Sequence, residues 1–287
     1  MLLSDLPYDI EFFYNLYVIF IEELLLYFKN FALYISLWLC IYVLVSFVVY
    51  RRYARRPQTK SRGDLGAKRV LVVIAHPDDE CMFFGPTIFR LCEQGADVHV
   101  LCLSNGNYEG KGRLRRKELW DACNELGVPD ENICLIMDDR LQDNPKIHWP
   151  IRVLAKLIHY HIESMDIDTL VTFDQRGVSG HANHIALFHA IGYMFMKKLV
   201  PQKCTVYTLD TVNMFRKYIG FLDLPLSFLL SSKRFHFLRW TESRRIVRAM
   251  KRHRSQMVWF RYLYVFFSRY MIINTLRRIR IGSRQKT

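Results

Sequence analysis

The sequence predicts an α/β fold, a Rossmann-like, doubly wound and mostly parallel sheet, with a transmembrane helix ahead of it. Three observations carry that prediction. Apolar, β-branched runs alternate with helical stretches from residue 68 onward. The first run (residues 70–75) ends abruptly in His76, Pro77, Asp78, Asp79 and Glu80, as strands do where an open parallel sheet binds its ligand. Finally, residues 31–50 are twenty consecutive positions without a charge.

At 1.5 Å per residue that uncharged stretch spans the roughly 30 Å hydrocarbon core of a bilayer. A buried core helix is the bland alternative, and a secretory signal fits poorly because the run is too long and starts too late. Ahead of it, residues 1–30 mix aromatics with Asp5, Asp9, Glu11, Glu22, Glu23 and Lys29, which suits a lumenal or interfacial segment. Behind it stand Arg51, Arg52, Arg55 and Arg56, so the positive-inside rule places the chain beyond residue 50 in the cytoplasm. Residues 51–67 form a basic linker and residues 68–287 the cytosolic domain. Charge is concentrated: residues 51–69 net +7 and residues 233–287 net +15, leaving −8 elsewhere in a chain of +14. Such basic clusters suit nucleic acid or an anionic membrane equally, but no nucleic-acid motif accompanies them, and no nucleic acid is expected as a partner. The seven scattered cysteines lack CxxC spacing and are expected to be reduced.

Element by element, a helix over residues 81–94 stops at Gly95, and residues 97–103 form a second strand closed by Ser104, Asn105, Gly106 and Asn107. A basic helix over 113–126 stops at Gly127 and Pro129. Residues 132–137 form a third strand, 149–165 a helix, and 168–173 a fourth strand ending in Asp174. No GxGxxG follows the first strand, so a dinucleotide fingerprint is absent. The aromatic, arginine-bearing stretch from Trp259 to Tyr270 is expected to pack as a core helix with snorkelling arginines; a membrane-surface helix is the alternative.

The fourth strand leads to a second histidine cluster, Gly177-Val178-Ser179-Gly180-His181-Ala182-Asn183-His184, at the start of a helix over 182–197. His181 and His184 lie three apart in its first turn and can face one point. Alone, either cluster has an ordinary explanation: acids at a helix N-terminus complement the dipole, and two histidines at that spacing are common on surfaces. Together, at carboxyl ends of parallel strands, they make a metal site. His76, Asp79 and His184 supply two nitrogens and one carboxylate, with an open position for water and a spare carboxylate as base.

The stretches AHPDDE, SNGNYEGKGRLRRKEL and GVSGHANH, in that order, resemble the LmbE-like zinc deacetylases. The likeness runs over roughly residues 68–276, including HRSQMVWFRYLYVFFSRYMIINTL, and is nearest to the membrane-anchored N-acetylglucosaminyl-phosphatidylinositol de-N-acetylase (PIG-L) branch. The resemblance implies Zn2+ on His76, Asp79 and His184, Asp78 as general base, and His181 as a residue that stabilises charge or donates a proton. It implies a substrate, N-acetylglucosamine linked to phosphatidylinositol, an early step of glycosylphosphatidylinositol anchor synthesis, and residence in the endoplasmic reticulum membrane. Arg115 matches the family arginine as a substrate contact, and Asn105 is a second candidate. Soluble relatives commonly have Asp where this chain has Asn183, which makes Asp174 the candidate to orient His181. Glu118 is expected to pair with a base one turn away. Two other functions compete: a non-catalytic membrane adaptor that binds anionic lipid, and the same chemistry on another N-acetylglucosaminide. A complete set of His76, Asp78, Asp79, His181 and His184 favours the enzyme.

Overall fold

The computed structural model describes residues 8–55, 65–144, 146–230 and 234–279. Residues 1–7 of the expected N-terminal segment and 56–64 of the expected linker lie outside the described residues. The chain divides into two units, Met1–Val49 and Tyr50–Thr287.

Among the described residues the first unit is the part of helix α1 up to Val49; the helix runs unbroken from Tyr8 to Ala54, so the residues ahead of the uncharged stretch continue the same helix. Its segment Ile10–Ala54 is long and apolar enough to cross a membrane, with an 18-residue stretch whose mean hydropathy is 2.4. Its large apolar side chains are exposed almost throughout, an arrangement suited to lipid rather than to water. The hydroxyls of Ser36 and Ser46 donate back to the carbonyls of Ala32 and Tyr42, which satisfies both serines within the helix.

The second unit is built on a sheet of seven strands among the described residues: β1 (Arg69–Ile74), β2 (Asp97–Cys102), β3 (Ile133–Leu135), β4 (Thr169–Phe173), β5 (Thr205–Leu209), β6 (Arg234–Phe237) and β7 (Ile273–Arg278). Their order is β3-β2-β1-β4-β5-β7-β6. β1 to β5 are parallel, and β7 enters antiparallel between β5 and β6. β1 is central and buried on both faces, which its unbroken Val-Leu-Val-Val-Ile run requires. The strand order reverses between β1 and β4, and at such a point the carboxyl ends of two neighbouring strands open a crevice.

The helices are α2 (Asp79–Met82), α3 (Gly85–Glu93), α4 (Gly112–Leu126), α5 (Ile151–Ser164), α6 (Gly177–Gly180), α7 (Ala182–Met196), α8 (Met214–Lys217), α9 (Leu224–Leu230), α10 (Trp240–Arg252) and α11 (Trp259–Phe267). All seven cysteines are free thiols. Three expectations need correction. The single helix over 81–94 is two, broken at Phe83 and Phe84, because Pro86 opens a new helix and Gly85 lets it approach α10. A Cβ on Gly85 would lie 2.6 Å from Ile246 Cγ2. Glu118 pairs not within its own helix but with Ser255, accepting its N–H at 2.8 Å and its hydroxyl at 2.6 Å. Lastly, α11 is not a core helix: it buries only Tyr264 and exposes Trp259, Phe260, Tyr262, Leu263, Phe266 and Phe267.

Candidate active site

One wall of the crevice is the loop after β1. Asp79 Oδ2 accepts the N–H groups of Ala75 (3.0 Å) and His76 (2.9 Å), folding the chain back on the strand end. That tight turn holds Asp78 at φ 116°, ψ −22°, a left-handed conformation that costs about 1–3 kcal/mol for a non-glycine residue. The surroundings brace it. Asp78 N–H donates to Glu80 Oε2 (3.0 Å), while Glu80 Oε1 pairs with His253 Nε2 and accepts from the Cys81 thiol. Arg115 Nη2 donates to the Pro77 carbonyl at 2.6 Å. Both Glu80 and His253 are fully buried. The Asp78 carboxylate lies 3.2 Å from Arg261 Nη2 and 3.7 Å from Arg115 Nη2. Burial pushes its pKa up against the pull of Arg261 and Arg115, which suits a group that must take up a proton and release it again.

The other wall follows β4. Asp174 accepts the N–H of Arg176 (3.0 Å), Gly177 (3.1 Å) and Thr211 (2.7 Å), and the Thr211 hydroxyl (2.6 Å). Gly177 takes φ 56° and passes so close to α7 that a Cβ there would stand 2.8 Å from His184 Cβ. His181 caps α7, its Nδ1 accepting the Asn183 N–H at 3.3 Å. That bond puts the ring proton of a neutral His181 on Nε2. Burial, then the neighbouring His184 and His76, lower its pKa to about 4, so it faces the crevice as an uncharged hydrogen-bond donor.

The donor set fits a divalent cation. His184 Nδ1–H donates to the Gly177 carbonyl (3.0 Å), which leaves Nε2 as the lone pair. That buried Nε2 has no hydrogen-bond partner, yet it lies 3.3 Å from Asp79 Oδ1, the oxygen not used by the backbone. Two acceptors facing each other in a buried site call for a cation or a proton between them. Phe173 stacks on the His184 ring at 3.9 Å and fixes its plane. Nitrogens of His76, His181 and His184 lie within 4.8 Å of one another. His76 Nε2 lies 3.1 Å from Asp143 Oδ1 and 3.0 Å from Asn183 Nδ2, so its ring is held from behind. Although burial opposes ionisation of Asp79, His184 and His76 hold its carboxyl well below the usual carboxylate range. A carboxylate kept ionised beside imidazole nitrogens favours a metal ion.

Of the residues expected from sequence, His76, Asp78, Asp79, His181 and His184 all line one cavity of about 800 Å³. Arg115 lines it too, but its guanidinium is spent on Pro77 O, Gly106 O and Asp143, which makes it a brace of the loops as well as a cavity wall. Asn105 is not on this cavity; it lines a neighbouring cleft with Asp138 and Asp139, and Gly106 takes its place. Asp174 does not reach His181. Its four bonds hold the loop, and the group on His181 Nδ1 is the Asn183 amide. Sequence reasoning missed Asp143, Arg261 and the Glu80–His253 pair. His253 and Arg261 sit inside the C-terminal run quoted above, but nothing in their spacing points to a site more than a hundred residues away.

With this geometry in place, likeness to known proteins sharpens the picture. A family described as GlcNAc-PI de-N-acetylase (PIG-L) matches residues 71–194, which span both walls. A Bos taurus N-acetylglucosaminyl-phosphatidylinositol de-N-acetylase is 44% identical over 74% of this chain and 83% of its own length. A probable enzyme of the same name from Schizosaccharomyces pombe is 45% identical over 75% of this chain and 88% of its own. Among solved structures, the N,N'-diacetylchitobiose deacetylase of Pyrococcus horikoshii aligns with a TM-score of 0.50 at 18% identity, covering 76% of this chain and 88% of that one. The zinc-inhibited form of teicoplanin deacetylase Orf2 aligns with a TM-score of 0.52 at 16% identity, covering 75% and 100%. At these identities the structures speak for the fold alone. The chain belongs to the PIG-L family of GlcNAc-PI de-N-acetylases.

Proposed function

We propose that this protein hydrolyses the N-acetyl group of N-acetylglucosaminyl-phosphatidylinositol, releasing acetate and glucosaminyl-phosphatidylinositol, in glycosylphosphatidylinositol anchor synthesis. The observation that carries the reading is the buried His184 Nε2–Asp79 Oδ1 pair, which needs a cation or a proton between its two atoms, next to a strained and braced Asp78. The names of the relatives supply the substrate. His76, Asp79 and His184 would hold the metal, with zinc as the expected ion. Bound there, such an ion acidifies a water and polarises the acetyl carbonyl.

The residues of the chain do the rest. Asp78, whose pKa burial raises, takes the proton of the attacking water as oxygen adds to the acetyl carbon. His181 offers Nε2–H to the oxygen that gains charge, and being neutral it stabilises that charge by hydrogen bonding. Asp78 then returns its proton to the amine as the carbon–nitrogen bond breaks. Arg115 and Asp143 keep the two loops in register around the sugar.

α1 would anchor the chain in the endoplasmic reticulum membrane, with the four arginines after residue 50 on the cytoplasmic side. The test is acetate release from the lipid by purified full-length protein, with and without chelator, beside His184→Ala. Release that is chelator-sensitive, restored by zinc and abolished by the substitution is expected. Release from soluble glucosaminides but not from the lipid would retain the chemistry and reject the substrate. No release from either, with metal bound, would favour an adaptor.

A further inference from the structure

α11 is nine residues long and carries an aromatic, apolar face that none of the described residues of the second unit covers: Trp259 is 75% exposed and Phe266 73%. Beside it, α8 exposes Met214 and Phe215; Lys217 at the end of α8 lies over the rings of Tyr218 and Tyr264, which joins the two segments. Trp259, Phe260, Leu263 and Phe267 also line the active-site cavity, so this face forms part of its mouth. A soluble domain seldom leaves an apolar patch of this kind uncovered without a partner for it.

We propose that the exposed face of α11, with Met214 and Phe215, docks on an anionic phospholipid surface and sets the mouth of the cavity at that surface. Three features favour a bilayer as the occupant. Trp, Tyr and Phe side by side are the residues that settle at the headgroup level. From residue 243 to 287 the chain has thirteen Lys and Arg and no Asp or Glu, and Lys251 and Arg254 are exposed just before α11. The chain also carries its own apolar helix, and a tether raises the effective concentration of membrane at the face, so a weak contact suffices. The docking deepens the reading of a lipid-linked substrate and rests on it for its catalytic consequence. A headgroup still seated in its bilayer then meets the cavity without leaving the membrane.

The experiment uses full-length protein reconstituted in phosphatidylcholine–phosphatidylserine vesicles that contain lipid brominated at shallow acyl positions. Trp259→Phe isolates the fluorescence of one indole. A quenched component present in the wild type and absent in Trp259→Phe is expected; equal quenching in both overturns the proposal. Tyr262→Glu with Phe266→Glu, outside the cavity lining, supplies the functional arm. Turnover of bilayer-embedded N-acetylglucosaminyl-phosphatidylinositol is expected to fall at least tenfold, with kcat/KM for the tail-less glycosyl-inositol phosphate unchanged. Retained turnover in the bilayer, or equal loss on both substrates, rejects docking as the role of this face. Should the double variant fail to fold, the Trp259 comparison decides alone. Should the wild type deacetylate neither substrate, the enzymatic reading fails while the quenching still decides the docking.

Discussion

The two walls of the cavity differ in how deeply they are buried. The loop after β1 is buried and tied both to its own strand end, through Asp79, and to distant parts of the chain, Glu80 to His253 and Pro77 to Arg115. The loop after β4 is tied through Asp174 to Arg176 and Gly177 and to the distant Thr211, but it is less buried, leaving Ser179 and Gly180 exposed and His181 only half-buried. The difference teaches where accuracy is needed. A base must be placed against water and metal ligands whose positions do not change, and backbone strain at Asp78 persists only where surroundings over-determine it. His181, proposed as the hydrogen-bond donor, stands on the less buried wall, where a looser loop costs little.

Substitutions sharpen that contrast. The largest effect is expected from Asp78→Asn: turnover should fall by about 10²–10⁴-fold with metal content unchanged, measured by acetate release and metal analysis. Normal turnover would remove Asp78 from the role of base. Next, His253→Ala leaves Glu80 buried without its partner and should destabilise the fold by roughly 3–5 kcal/mol in denaturant unfolding. His181→Ala, on the looser wall, should change stability by less than about 1 kcal/mol while lowering turnover. Similar stability losses for the two would abolish the distinction between the walls. Thr211→Val takes one hydroxyl bond from Asp174 and the acceptor from the Val178 N–H, and should cost about 1–2 kcal/mol.

The smallest effect concerns the outer support of the fixed wall, where Glu242 at the start of α10 meets Arg90 of α3. Burial opposes ionisation of Glu242, but hydrogen bonds from Arg239 and Arg90 outweigh it and lower its pKa. A carboxylate lowered in the folded state contributes stability above its unfolded pKa of about 4.3 and loses it as pH falls through the folded value. Glu242→Gln should therefore flatten the acid side of the stability curve by lowering stability modestly at neutral pH, with the least change at low pH. A steeper acid dependence in the variant would contradict this.

Much of the site was legible because its chemistry is local. His76, Asp78 and Asp79 follow one strand within four residues, and His181 and His184 open one helix, so spacing alone brings each set to a strand end. Residues paired across the chain left no such trace. Asn183 meets His76 at a separation of 107 residues and Glu80 meets His253 at 173, and no periodicity encodes either. The parallel half of the sheet showed itself through long β-branched runs. β6 is four residues long and β7 lies out of chain order, so neither carried a comparable signal. The mistake over α11 has a physical root: aromatic density is the same whether a helix faces a protein core or lipid, and only burial tells them apart.

The placement of β7 between β5 and β6 has a consequence for synthesis. As the ribosome extends the chain, β1 to β5 can pair in turn with strands already made. β6 emerges with no partner and waits for residues 273–278, while the outer edge of β5 stays open. A nascent chain halted after α11 would hold every residue proposed to bind the metal and still present a raw sheet edge to solvent. Quality control acting on that edge would remove incomplete chains.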